Sequence, residues 1–249
     1  MYIVLLSGGS GKRLWPLSND LCSKQYIKLM NHEGDVSDEK CSMLQRVFGQ
    51  LKTVGLSENT IVCASTAQVE LIESQLDGEA EVAVEPMRRD TFPAVMLSCA
   101  YLLSKKGAQK DDVVAFLPVD PYTTDEFFKQ IKRLGTYVAE TDGTIGLLGG
   151  VPTYPSTKYG YIVPEQSESE LLKVQGFREK PDEAQQKSLL QRERFGTAEF
   201  FVLNCVWWSS GSKNMALART MTRWYATMRN CRRRALTMKF WSTGMTSLR

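Results

Sequence analysis

The sequence predicts an α/β protein with a mostly parallel sheet and helices on both faces. Three observations lead there. The apolar runs Tyr2–Leu6, Thr60–Ala64 and Val113–Val119 are continuous rather than alternating, as strands covered on both faces are. Longer stretches with apolar residues at helical spacing separate them. The runs end in glycines, prolines and charged residues, at the strand ends where such sheets bind ligands. At 249 residues, 43% hydrophobic and 24% charged, the chain buries one substantial core, at most one domain and a fragment.

The first strand, Tyr2–Leu6, carries the β-branched pair Ile3 and Val4. It leads into Ser7-Gly8-Gly9-Ser10-Gly11-Lys12-Arg13. Glycines let backbone N–H groups approach phosphate oxygens and permit positive φ. Lys12 and Arg13 bring charge to the same anion, Arg with a bidentate grip. The loop is no Walker A motif, because Arg13 follows Gly11-Lys12 and no hydroxyl is placed for Mg²⁺. Gly8, Gly9 and Gly11 also miss the GxGxxG dinucleotide spacing. From glycines alone, an ordinary strand-to-helix turn on a basic surface is an equal reading. Pro16 delays any helix, and Ser18-Asn19-Asp20 reads as a turn. Lys24 and Lys28 stand four apart, so both face the loop if Gln25–Leu29 is helical or a tight turn.

Asn31–Lys40 reads as a surface loop. Met43–Val54 predicts a helix through Leu44, Val47, Phe48 and Leu51, and Ala67–Leu76 another. Val82–Glu85 ends a strand at Pro86, and a basic loop leads to an apolar helix, Ala94–Leu103, which Asp90 or Thr91 can cap. Asp111–Tyr122 is a covered strand ending in Asp120 between two prolines, where a turn residue is the default reading and a Mg²⁺ ligand the functional one. Asp125–Glu140 is an amphipathic helix, and Thr144–Val151 a strand. Pro152–Ile162 reads as a turn followed by an aromatic edge strand. Glu179-Lys180 before Pro181 reads as an exposed pair ahead of a turn, and Asp182–Arg194 as a charged helix.

Arg13-Leu14-Trp15-Pro16-Leu17, with Ser23-Lys24-Gln25-Tyr26-Ile27-Lys28-Leu29, resembles the two fingerprints of sugar-1-phosphate nucleotidyltransferases, in particular their bacterial mannose-1-phosphate guanylyltransferase branch. The resemblance covers residues 1–194. It implies a Rossmann-like, GT-A-like fold that makes GDP-mannose and pyrophosphate from GTP and mannose 1-phosphate with Mg²⁺. It also implies roles. Arg13, Lys24 and Lys180 act on the reacting phosphates. Leu6, Gly8, Gly9, Gly11, Lys12, Arg88, Arg89, Asp90, Thr91 and Pro118 line the nucleotide, and Tyr159, Gly160 and Glu179 line the sugar. Asp120 binds the metal.

From Phe195 the chain changes character. Glu199 is the last acid, and nine cations follow, among them Arg232, Arg233 and Arg234. Those nine leave 22 basic against 28 acidic residues in the body, a balance of −6 beneath an overall +3. Where the family carries a strand resembling Trp-Asn-Cys-Gly-Val-Phe, this chain reads Phe195-Gly196-Thr197-Ala198-Glu199-Phe200. Back-translation two bases later permits the family strand, and the same shift applied to Arg234–Trp241 permits Ser-Phe-Asp-Tyr-Glu-Val-Leu, again resembling the family. The expectation is a nucleotidyltransferase domain over 1–194 and an out-of-frame tail over 195–249, lacking the sugar-binding asparagine and a late metal-binding aspartate. The tail's charge is then codon arithmetic, and nucleic acid is not an expected partner, because the body is acidic.

Six scattered cysteines without a CxxC pair, and only His32 as an imidazole, argue against zinc and for free thiols in a reducing compartment. No run reaches the roughly 18 apolar residues of a membrane span. A cytoplasmic protein is expected, without a membrane partner. Homo-oligomerisation stays open, as do another nucleotide or sugar and an inactive nucleotide-binding remnant.

Overall fold

The computed structural model describes residues 1–8, 14–19, 22–31, 39–87, 91–109, 111–140, 145–150, 160–165, 171–179, 197–204 and 236–241. The chain divides into two units, Met1–Lys129 and Gln130–Arg249.

In the first unit, β1 (Tyr2–Leu6) lies between β4 (Thr60–Ser65) and β6 (Val113–Pro118), and β5 (Glu81–Glu85) adds beyond β4, all in parallel. Ile3, Val4 and Leu5 are fully buried in succession, as are Ile61, Val62, Val114, Ala115 and Phe116. Successive residues of a strand face opposite sides, so both faces of this sheet are covered. That is why these runs do not alternate. A short antiparallel pair, β2 (Met30–Asn31) and β3 (Lys40–Cys41), takes up both ends of the stretch expected to be a surface loop, Asn31 and Lys40, and residues 32–38 between them lie outside the described residues.

Helix α1 (Met43–Thr53) starts on a capping box. Ser42 Oγ accepts from Gln45 N at 3.1 Å, and Ser42 N donates to Gln45 Oε1 at 3.0 Å. Leu44, Val47, Phe48 and Leu51 are its buried stripe. Gly55, at φ +69°, ends it, with Leu56 N donating to Leu51 O at 2.8 Å. The helix expected over 67–76 is shorter: a 3₁₀ turn, Thr66–Gln68, precedes α2 (Val69–Gln75). Helix α3 (Thr91–Lys105) begins three residues earlier than its apolar stretch, because Pro93 falls in the first turn, where its missing N–H has no intrahelical partner to lose. Thr91 is therefore its first helical residue and not its cap. Among the described residues no helix is long and apolar enough to cross a membrane.

Cys22, Cys41, Cys63 and Cys99 are free thiols. Burial pushes the Cys63 thiol up from its ordinary 9.0 to about 11, a hydrogen bond with Ser98 opposing this and the charge of Glu85 adding to it. A folded value above the unfolded one gives stability that is whole below pH 9 and lost as pH rises toward about 11. In the native protein at pH 9.5, iodoacetamide is expected to label Cys22 first and leave Cys63 unmodified, as read by peptide mass spectrometry. Equal labelling of both would contradict the burial.

Helix α4 (Asp125–Glu140) buries Phe127, Phe128, Ile131, Leu134 and Val138, as its spacing predicts. In the second unit the strand order is β10 (Thr197–Asn204), β7 (Ile145–Gly150), β11 (Leu236–Trp241), β9 (Leu171–Glu179), β8 (Gly160–Pro164). Here β11 runs parallel to β7, and the remaining pairings are antiparallel. Strand β8 is the edge, as its sequence suggests. At Gly146 a Cβ would come within 2.8 Å of Val138 Cγ2 and 2.9 Å of Leu134 Cδ1. Gly146→Ala is expected to cost about 1–3 kcal/mol through overpacking, read as a loss of hydrogen-exchange protection in β7; unchanged protection would refute the close approach.

Candidate functional site

The site is built where β1 and β6 end together. Leu6 and Pro118 are register partners in parallel strands, so the chain leaves both strands at the same end, toward Ser7-Gly8 from one and the Asp120 segment from the other. Ser7 follows β1 directly, and its N donates to Cys63 O at 2.9 Å. Two residues beyond β6, Asp120 Oδ2 lies 2.5 Å from Lys24 Nζ, with the side chains 39% and 36% exposed. The lysine of one fingerprint and a carboxylate 96 residues further along the chain thus meet in solvent reach.

A 3₁₀ turn, Lys24–Tyr26, presents the lysine, and buried polar groups fix that turn. Gln25 Nε2 donates to Ser7 O at 2.7 Å, and Tyr26 OH shares a 2.6 Å hydrogen bond with Ser7 Oγ. Gln68 Nε2 donates to Ser23 Oγ at 2.6 Å, and Gln75 Nε2 to Tyr26 O at 2.8 Å. Ser7, Ser23, Gln25, Tyr26 and Gln68 are all buried, so each of these bonds satisfies a group that would be costly unpaired. Lys24 escapes this burial and reaches Asp120, whereas Lys28 lies exposed outside the turn.

Glu85, at the carboxyl end of β5, is 6% exposed, and a Cβ on Gly8 would stand 3.1 Å from its Oε2. At Gly8 the absent side chain thus makes room for a protein carboxylate. Sequence reading did not single out Glu85, Ser7, Gln25, Tyr26 or Gln68. Gln25 and Tyr26 sit inside the second fingerprint, Ser23–Leu29, but nothing in the string says that their side chains turn inward to β1.

Gly9, Gly11, Lys12, Arg13, Arg88, Arg89, Asp90, Tyr159 and Lys180 lie outside the described residues, as does the helix expected over 182–194. Thr91 stands exposed at the start of α3. In the second unit, Gly160 and Glu179 are register partners across β8 and β9, so the ladder sets two of the sugar candidates side by side.

Among the described residues there is no cluster of three or more His, Cys, Asp or Glu groups that could hold a metal unaided. Asp120 nevertheless suits Mg²⁺, a hard cation that takes oxygen from one or two carboxylates and completes its shell with water and substrate phosphates. Its half-exposed oxygens leave room for that shell.

The nucleotidyl transferase family model matches residues 2–204. The alginate biosynthesis protein AlgA of Pseudomonas aeruginosa is 31% identical over 218 residues, covering 85% of this chain and 40% of the relative. The mannose-1-phosphate guanylyltransferase RfbM of Salmonella typhimurium is 32% identical over 185 residues, covering 72% and 36%. The chain spans about two fifths of the length of these curated relatives. A solved mannose-1-phosphate geranyltransferase from Thermus thermophilus superposes with a TM-score of 0.72 at 22% identity, covering 96% of this chain and 73% of that one. An apo UDP-glucose pyrophosphorylase follows at 0.61 and 12%, covering 96% and 90%. These two likenesses concern the fold, mixed α/β with a parallel core. A family match that runs from the first strand to the end of β10 leaves one conclusion: this chain belongs to the nucleotidyl transferase family.

Proposed function

We propose that the chain is a sugar-1-phosphate nucleotidyltransferase that makes GDP-mannose and pyrophosphate from GTP and mannose 1-phosphate in the cytoplasm. The observation that carries this reading is the meeting of Lys24 and Asp120 at the common end of β1 and β6, where Ser7 and Gly8 begin the glycine-rich segment. A phosphate oxygen of mannose 1-phosphate attacks the α-phosphorus of GTP, and the bond to the pyrophosphate oxygen breaks. Such chemistry depends on positioning and charge neutralisation more than on acid or base groups. Lys24 holds the reacting phosphates, Arg13 the departing pyrophosphate and Lys180 the sugar phosphate. Lys12 and the amides of Gly8, Gly9 and Gly11 cradle the triphosphate. Mg²⁺, held through Asp120, supplies charge neutralisation when bound. Gly160, Tyr159 and Glu179 receive the sugar, and Arg88, Arg89, Asp90 and Thr91 the nucleoside.

We assign base selection to Glu85, buried beside Gly8, because a carboxylate reached by the base would accept from the adjacent N1–H and N2–H groups that guanine alone among the common bases presents. Glu85→Gln is expected to reduce the preference for GTP over ATP by about tenfold, the scale of one charged hydrogen bond. An unchanged preference would remove Glu85 from base selection.

The test is a panel of nucleoside triphosphates with mannose 1-phosphate or glucose 1-phosphate, scored by pyrophosphate release. GTP with mannose 1-phosphate is expected to lead. A different leading pair corrects the substrates, binding of GTP·Mg²⁺ without turnover marks an inactive remnant, and no nucleotide binding at all defeats the proposal.

Residues 195–249 we read as translated out of frame after a one-base change near the codon for Arg194, leaving 1–194 as the in-frame part of the nucleotidyltransferase domain, while the family match itself reaches ten residues further, to 204. The coding DNA is then expected to stay open in the shifted phase past Arg249 and to encode Trp-Asn-Cys-Gly-Val-Phe over the Phe195–Phe200 codons. An early stop in that phase would end the idea.

A further inference from the structure

Asp120 stands outside any helix or strand, in the segment between β6 and α4. Helix α1 holds that segment. Arg46, 6% exposed, donates from Nη2 to Thr123 O at 2.8 Å and from Nη1 to Gln50 Oε1 at 3.2 Å. Gln50 Nε2 donates to the same carbonyl at 2.9 Å. The guanidinium also stacks on the Tyr122 ring, 4.0 Å from its centroid. Two donors and a stacked ring thus fix the backbone two and three residues beyond Asp120.

The same helix reaches the other half of the pair. Its cap, Ser42, donates to Gln75 Oε1 at 2.6 Å, and Gln45 Nε2 to Gln75 O at 3.1 Å. Gln75 in turn holds the carbonyl of Tyr26. One helix therefore grips the Lys24 turn near its start and the Asp120 segment from its middle. A buried guanidinium is an expensive way to fill space, since apolar side chains of like volume are often equal or better for stability. A rigid, planar, multi-donor group is what a fixed loop requires.

We propose that Arg46 is a positioning residue: it sets the place of Asp120 relative to Lys24, and so prepares the site for a nucleoside triphosphate and its cation. This rests on the reading that Lys24 and Asp120 serve that ligand. Groups that orient a metal-binding side chain change metal affinity by about 10–100-fold when removed.

The test uses the full chain with its lysines ¹³C-dimethylated, which keeps their charge. The Lys24 signal is assigned by Lys24→Arg, and its unpaired position by Asp120→Asn. Arg46→Met is expected to move the signal to that unpaired position, with Arg46→Lys recovering part of the shift. Tyr122→Leu, at a residue 69% exposed and so safe for folding, is expected to move it part of the way. In parallel, the Mn²⁺ midpoint with GTP, read by electron paramagnetic resonance, should rise about tenfold in Arg46→Met. If the Lys24 signal stays at its wild-type position in all three variants, Arg46 only packs the helix and the proposal is overturned. If the wild type retains no Mn²⁺·GTP, the nucleotidyl-transfer reading falls, while the Lys24 signal still decides the part of Arg46.

Discussion

Asp120→Asn is expected to lower pyrophosphate release by about 10²–10³-fold, the scale seen when one group that meets developing charge is removed. The amide keeps the shape of the carboxylate and loses its charge, so the cation that neutralises the triphosphate is held less well. Fold stability should hardly change. The Lys24–Asp120 pair is more than a third exposed on both sides, and such pairs contribute at most about 1 kcal/mol. Unchanged thermal unfolding with collapsed turnover is thus the signature, and Mn²⁺ retained with GTP gives a second reading that needs no turnover. Turnover within about threefold of wild type would mean that Asp120 is the turn residue its flanking prolines suggest.

The variant also separates the two groups. Lys24 in Asp120→Asn is released to the phosphates, so affinity for free GTP should hold or rise while the requirement for divalent cation grows. A lysine serving only to neutralise Asp120 would give no such divergence. Lys24→Met should do the opposite, weakening nucleotide binding and leaving Asp120 free for the cation.

Much of this was legible in the string, for identifiable reasons. Tyr2–Leu6, Thr60–Ala64 and Val113–Pro118 are short, continuous and β-branched, and burial on both faces is what such runs encode. Asp125–Glu140 is found with the bounds its pattern predicts, because five large apolar residues at helical spacing leave little choice. Asp120 stood out as a lone carboxylate after a covered strand, where a turn residue is the default reading, and only the family resemblance made it a metal ligand. Lys24 could be singled out only through its fingerprint, since a lysine in a polar stretch has no signal of its own.

What stayed hidden depends on contacts between distant segments. Arg46 and Gln50 are four apart on α1, and in the string they look like polar residues beside an apolar stripe. Their common target, a single carbonyl 77 and 73 residues on, exists only once β6 has been laid beside β1. Glu85 was hidden for a like reason. A charged residue before proline reads as a turn, and only the register Ser65↔Glu85 places it inward beside Gly8. Periodicity reports which face is apolar. It does not report which polar group a buried amide will meet.

Phe116→Ala tests the packing on which the site stands. Phe116 is fully buried in β6, the register partner of Val4 in β1, four residues before Asp120. Truncation removes a large ring from a sheet closed on both sides, so the cavity has little freedom to collapse, and the expected loss is about 3–5 kcal/mol. Against the usual 5–15 kcal/mol of a folded domain this is a large share. Hydrogen exchange reads it locally: protection of the Val4 and Ala115 amides should fall by two to three and a half orders of magnitude, about 1.4 kcal/mol to each tenfold. Ile61→Val in β4, on the other side of β1, removes one methylene from an equally buried place and should cost only about 0.5–1.5 kcal/mol. If both variants lose the same small amount, the sheet is open on one face. Its continuous apolar runs would then need another cause, and the common end of β1 and β6, after which Ser7 and Asp120 follow, would lose its support.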